Sequence, residues 1–172
     1  MSLVSVAQGE TEHIIYGPAS VEIRDNEGDR IHAEALEQAL PQLIRRGRFS
    51  KKHQDILLGE ILPMYKDTEG KIWKTEVRVP NDVDLQMFPH LEPGVPALFT
   101  VGNVYGDSME CRKTRADLIK NELDSFSISG MKLAGPPGEI TQMDLDAVTI
   151  CERGMNPSAK FKTIAKSEQV QK

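Results

Sequence analysis

Ser125-Phe126-Ser127-Ile128-Ser129-Gly130 alternates hydroxyl and apolar side chains with a period of two. On a β-strand this pattern sends Phe126 and Ile128 into a core and aligns three serines on the opposite face. The glycine that follows breaks the alternation. A serine held on a rigid strand is better placed to act as a nucleophile than one on a loose loop. The same pattern also describes a strand whose hydroxyl face is simply solvated. Upstream, Lys51-Lys52-His53 leads into the apolar run Ile56-Leu57-Leu58, so a histidine stands at the edge of a second strand. Serine plus histidine is the minimum for acyl-transfer chemistry.

Working outward, the elements on either side set the fold class. Residues 13–23 read as a strand interrupted at Gly17-Pro18, where proline removes a ladder donor. Asp25-Asn26-Glu27-Gly28-Asp29 is a turn signal. Ala35, Leu36, Ala39, Leu40, Leu43 and Ile44 fall on one helical face, with Pro41 expected to kink the helix. Arg45-Arg46-Gly47 is a helix C-terminal signal. Residues 56–65 and 71–79 form a hairpin across Asp67-Thr68-Glu69-Gly70. Residues 80–96 are an irregular connection rich in proline and acidic residues, and residues 97–105 a further strand. Thr114 and Asp117 make a capping-box pattern at the start of a second helix that leads into the serine strand. Gly135-Pro136-Pro137-Gly138 breaks the chain, residues 142–151 form the last strand, and the lysine-rich stretch from Lys160 is polar and mobile. Many short strands with two helices predict an α+β domain, a mainly-β barrel with a few flanking helices.

Composition narrows the function classes. The 172 residues are 39% hydrophobic and 27% charged, as in one soluble globular domain. That domain is expected over residues 12–162, with a flexible lead at 1–11 and a disordered tail at 163–172. A net charge of −5 argues against a sequence-independent nucleic-acid binder. Cys111 and Cys151 give neither a disulfide framework nor metal-ligand spacing, so both read as reduced thiols. No apolar run reaches membrane-spanning length, and the N-terminus lacks a signal-peptide core, which together point to a soluble intracellular protein. Metal, phosphate and dinucleotide motifs are missing, as is the G-x-S-x-G elbow, and no cofactor is expected.

The chemistry rests on a few side chains. Ser127 is the central serine and the natural nucleophile, with Ser129 the alternative if the strand is shifted by two. His53 is the candidate base, and His90 in Phe88-Pro89-His90-Leu91-Glu92 is a second histidine in a loop. A third group would orient the base by accepting its other ring proton. Asp144 and Asp146 alternate along the last strand and share a face with Val148 and Ile150. His13 and His32 carry no implied chemistry, since they stand where a strand and a helix begin.

Several segments in order resemble the prohead (capsid-maturation) serine proteases of tailed phages, relatives of the herpesvirus assemblin proteases. Tyr16-Gly17-Pro18-Ala19-Ser20, the acidic turn and the helix after it are similar to that family's opening. Lys52-His53, with Gly59 six residues on, is similar to its histidine strand, and Phe126-Ser127-Ile128-Ser129-Gly130 to its nucleophile strand. Leu145-Asp146-Ala147-Val148-Thr149-Ile150-Cys151 with Asn156-Pro157-Ser158-Ala159 resembles its last strand and Asn-Pro-x-Ala turn. The matches run from about Ile15 to Phe161. The resemblance implies an assemblin-like barrel and a serine endopeptidase that trims scaffold and major capsid protein extensions, and itself, inside the immature capsid in the host cytoplasm. It assigns Ser127 as nucleophile and His53 as base, and implies a homodimer or higher oligomer. Where the family often carries an acidic residue before the valine of the last strand, this chain has Ala147. The third member is therefore Asp146, Asp144 or His90. The alternative function is an inactive procapsid scaffold or core protein that keeps the fold.

Overall fold

A computed structural model describes residues 12–23, 28–51, 57–106, 108–153 and 157–166. Its elements are β1 (Glu12–Val21), β2 (Arg30–Ile31), α1 (Ala33–Arg46), β3 (Arg48–Lys51), β4 (Leu57–Leu62), β5 (Met64–Lys66), β6 (Ile72–Lys74) and β7 (Glu76–Arg78), followed by α2 (Asp82–Met87), β8 (Ala97–Tyr105), α3 (Met109–Ile119), β9 (Leu123–Ala134), β10 (Glu139–Ile140), β11 (Gln142–Glu152) and β12 (Lys162–Lys166). The main sheet runs β12-β1-β8-β4-β3-β11-β9, with β7 also paired to β8. It is mostly antiparallel, but β3 and β11 run parallel. The sheet curls into a half-barrel. Its two ends meet through residues 159–161: the Phe126 amide donates to the Ala159 carbonyl at 2.7 Å and the Phe161 amide to that of Asp124 at 2.9 Å. Gly17 permits this approach, since a Cβ there would run into the backbone of Lys160 and Phe161. Strands predominate and few helices accompany them, as the sequence indicates.

Two apolar clusters explain why β1 and β8 read as unbroken hydrophobic runs rather than alternations: both their faces are covered. Ile15, Phe49, Leu98, Phe126, Val148 and Ile150 fill the concave side with α1 and α3. Ile14, Tyr16, Leu62, Phe99 and Val101 lie on the other side beneath the β5–β6 hairpin and α2. Helix α1 buries Ala35, Leu36, Ala39 and Leu43 and packs on β11. Burying each such leucine contributes roughly 1.5–3 kcal/mol. The helix stops where Gly47 takes up a left-handed φ of 63°, its amide donating to the Leu43 carbonyl. Pro41 leaves α1 unbroken from Ala33 to Arg46 and lies on its exposed face.

The structure corrects the sequence reading at several points. Strand β1 continues through Gly17-Pro18, with an irregularity between Pro18 and Ser20. Helix α3 begins at Met109, where the Ser108 hydroxyl accepts from the Cys111 amide at 3.1 Å; Thr114 is buried within the helix and caps nothing. Residues 80–96 contain α2, closed by a reciprocal capping box between Asn81 and Asp84. The hairpin is only the β5–β6 pair, because β4 and β7 leave it to join β8. Gly130 does not end the serine strand, which runs on to Ala134. Residues 163–166 of the expected tail belong to β12, which pairs with β1, and residues 167–172 lie outside the described residues. The N-terminal lead 1–11 and residues 25–27 of the acidic turn lie outside the described residues. No helix among the described residues is long and apolar enough to cross a membrane.

Candidate active site

The opening alternation folds as read. Phe126 is fully buried, Ile128 packs against the same core, and Ser125, Ser127 and Ser129 point to the other face. The three hydroxyls differ in their surroundings. Ser125 is fully buried and donates to Asp124 Oδ1 at 2.9 Å. Ser129 lies opposite Ala147 and is engaged by other contacts. Ser127 is half-buried, and its hydroxyl has no hydrogen-bond partner among the described residues.

Register then builds a row across three strands. Ser127 on β9 lies opposite Thr149 on β11, and Thr149 lies opposite Ser50 on β3. Thr149 is fully buried, and its Oγ1 is 3.2 Å from Ser50 Oγ. Paired residues on neighbouring strands share a face, so one line of hydroxyls crosses the sheet with Ser127 at its outer end. Ser50 is also the last point at which β3 is in register with β4, facing Leu57. His53 falls in the connection between them and lies outside the described residues.

The carboxylates occupy a different place from the one expected. A bulge between Leu145 and Ala147 inserts Asp146 as an extra residue opposite β9. This inverts the phase of the strand: Leu145, Val148 and Ile150 all face the core, whereas Asp144 and Asp146 remain partly exposed on the other side. Asp144 and Asp146 therefore do not share a face with Val148 and Ile150. Arg46 Nη1 donates to Asp144 Oδ1 at 3.0 Å and to the Leu145 carbonyl at 2.7 Å. Asp146 Oδ1 lies 3.5 Å from Arg48 and 3.8 Å from Arg46. Both carboxylates thus face guanidinium groups.

His90 is on the far side of β9, next to residues 158–161. Its Nε2 lies 3.2 Å from the Ser158 carbonyl, and its ring meets the edge of Phe88. Burial holds its pKa below the usual histidine value. His32 does mark the start of α1, between Glu22 and Glu139, with Nε2 2.7 Å from Glu139 Oε1. His13, dismissed from sequence, is 1% exposed, and its pKa is pushed down to about 4 by burial, with Lys166 and Arg115 adding to the effect. Neither Thr149 nor Ser50 was singled out in the sequence. Their pairing depends on a parallel contact between strands about a hundred residues apart, which no local pattern signals. Among the described residues no group of three or more His, Cys, Asp or Glu side chains is placed to hold a metal ion. No protein-family model matches this chain, and no curated protein matches its sequence.

Proposed function

We propose that this chain is a serine endopeptidase of the prohead capsid-maturation type, built on an assemblin-like barrel. The observation that carries the reading is the row Ser127–Thr149–Ser50. It presents a half-buried hydroxyl, unpartnered among the described residues, on a strand fixed by a full-length neighbour, in line with the strand that leads to His53. Ser127 Oγ attacks the scissile carbonyl while His53 accepts its proton. The tetrahedral adduct collapses as His53 returns that proton to the leaving amine, and water, activated by the same imidazole, hydrolyses the acyl-enzyme and frees Ser127. Substrates, by the ordered resemblance over residues 15–161, are extensions of scaffold and major capsid proteins, and the chain itself, within the immature capsid. Association as a homodimer or higher oligomer belongs to the same reading.

The test is cleavage of a matched capsid or scaffold substrate. Wild type cleaves, and Ser127→Ala loses roughly 10³-fold or more of that activity. Equal cleavage by the variant removes Ser127 from the mechanism.

A second reading has its own observation. Asp144 and Asp146 both face arginines, and Ala147 stands where an acidic residue is usual, which favours an inactive scaffold or core protein that keeps the fold. A wild-type protein that cleaves no matched substrate yet co-assembles with capsid protein supports this alternative.

A further inference from the structure

A groove of about 730 Å³ opens between β9, β12 and the C-terminal turn of α3, and Ser127 is not among the residues that line it. Lys160, Lys162 and Lys166 border it, and Asp124, which accepts from Ser125, is the one carboxylate among its described lining residues. This basic rim stands out in a chain of net charge −5. Phe88, Leu118 and Phe161 supply an apolar wall.

Two buried groups, one in the groove and one beside it, each have a nitrogen with no hydrogen-bond partner among the described residues. His13 Nε2 lies 2.6 Å from Thr163 Oγ1, but its buried Nδ1 has no hydrogen-bond partner among the described residues. Arg115 is 5% exposed and acts electrostatically on His13, and its buried Nη1 also has no partner among the described residues. It lies one helical turn before Leu118 and Ile119, which line the groove. Burying a guanidinium without a carboxylate is unfavourable, and so is burying a ring nitrogen without a hydrogen bond. His13 lines the groove together with Lys166, so an anionic group entering there would meet the first of these deficits.

We propose that this groove binds an acidic peptide segment in extended form. One carboxylate is received by His13 and Lys166, with the positive charge of Arg115 nearby, and a neighbouring apolar side chain lies on Phe88 and Phe161. The Thr163 hydroxyl donates to Nε2, which leaves Nδ1–H to donate to the carboxylate. Strand β12 ends the strand order of the sheet, and its outer edge, which pairs with no other strand among the described residues, offers backbone groups to an added strand. The volume is in the range of peptide and small-molecule sites, and a lone phosphate would leave the apolar wall uncovered. The site does not depend on Ser127, so it stands or falls separately from the protease reading.

The probe is a fluorescein-labelled octapeptide of alternating glutamate and leucine, titrated against the full chain by anisotropy. Binding is expected to saturate, to weaken as salt rises, and to weaken about tenfold or more when glutamine replaces glutamate. Lys166→Glu, on an exposed edge position, is expected to weaken it by a similar factor with an unchanged circular dichroism spectrum. Absence of saturable binding, equal affinity for the glutamine peptide, or full affinity in folded Lys166→Glu overturns the proposal. Displacement of the probe by inorganic phosphate at the same concentration as unlabelled peptide also overturns it.

Discussion

Truncating Phe126 tests the phase of the serine strand, on which both the fold and the candidate nucleophile depend. Phe126 is fully buried, with its ring 4.7 Å from that of Phe161 and 5.9 Å from that of Phe49. Phe126→Ala loses the transfer free energy of a buried aromatic, roughly 1.5–3 kcal/mol. The space left adds a cavity contribution of about 2 kcal/mol, taking about 24 cal/mol per Å³ over a phenyl-sized void. The sum, about 3.5–5 kcal/mol, is measured by urea denaturation. For a domain of this length it corresponds to a fall in Tm of roughly 7–20 °C. Ser127→Ala, one residue on, removes a half-buried hydroxyl that bonds to nothing among the described residues, and is expected to shift stability by less than about 0.5 kcal/mol. Equal losses from the two substitutions, or a larger loss from Ser127→Ala, would refute the assignment of Phe126 to the core and the serines to the opposite face.

Arg78 donates to the buried Asp84, to Glu76 and to the Tyr16 hydroxyl, and its guanidinium stacks over Phe99 at 4.3 Å. Arg78→Met leaves a buried carboxylate unpaired and is expected to cost about 3–5 kcal/mol. Adding Asp84→Asn recovers part of that loss, so additive losses in a double-mutant cycle contradict the pairing. Gly130→Ala drives a Cβ into the Asp144 carbonyl oxygen beside the β11 bulge and is expected to cost about 1–3 kcal/mol by chemical denaturation; a neutral result argues against the bulged register. His13 has a folded-state pKa of about 4 against an ordinary 6.5, so the folded protein binds fewer protons than the unfolded chain between those values. Stability from this group is complete above pH 6.5 and is lost as pH falls towards 4, by on the order of 3 kcal/mol. His13→Phe should flatten that part of the stability profile, and an unchanged profile would show that His13 is not buried as a neutral ring.

Local pattern carried the reading where it matches the period of the element. Phe126 and Ile128 declared the phase of β9. Arg45-Arg46-Gly47 marked the end of α1, and the apolar run 97–105 became β8 with the bounds expected. The failures have physical causes. A single inserted residue, Asp146, reverses which side chains of β11 face the core, and a bulge leaves no mark on composition. Helix α3 buries Thr114 and Arg115 alongside Cys111 and Leu118, so its apolar stripe is faint and gives no local signal for the cap at Ser108. Strand β12 carries Lys162 and Lys166 because it borders the sheet, and charge on an edge strand reads as a mobile tail. At the candidate site, Ser127's place on the hydroxyl face of β9 is legible from the alternation. Its alignment with Thr149 and Ser50 is not, because only the tertiary fold brings β3, β11 and β9 side by side.

The most direct test of the central claim is covalent. Incubated with a fluorophosphonate, a nucleophilic serine displaces fluoride and gains a stable phosphonyl group, and peptide mapping by mass spectrometry locates the added mass. The account predicts one adduct, on Ser127, that is abolished in Ser127→Ala and slowed by about 10³-fold or more in His53→Ala. An adduct on Ser129, or labelling of Ser127 at the same rate without His53, would contradict it.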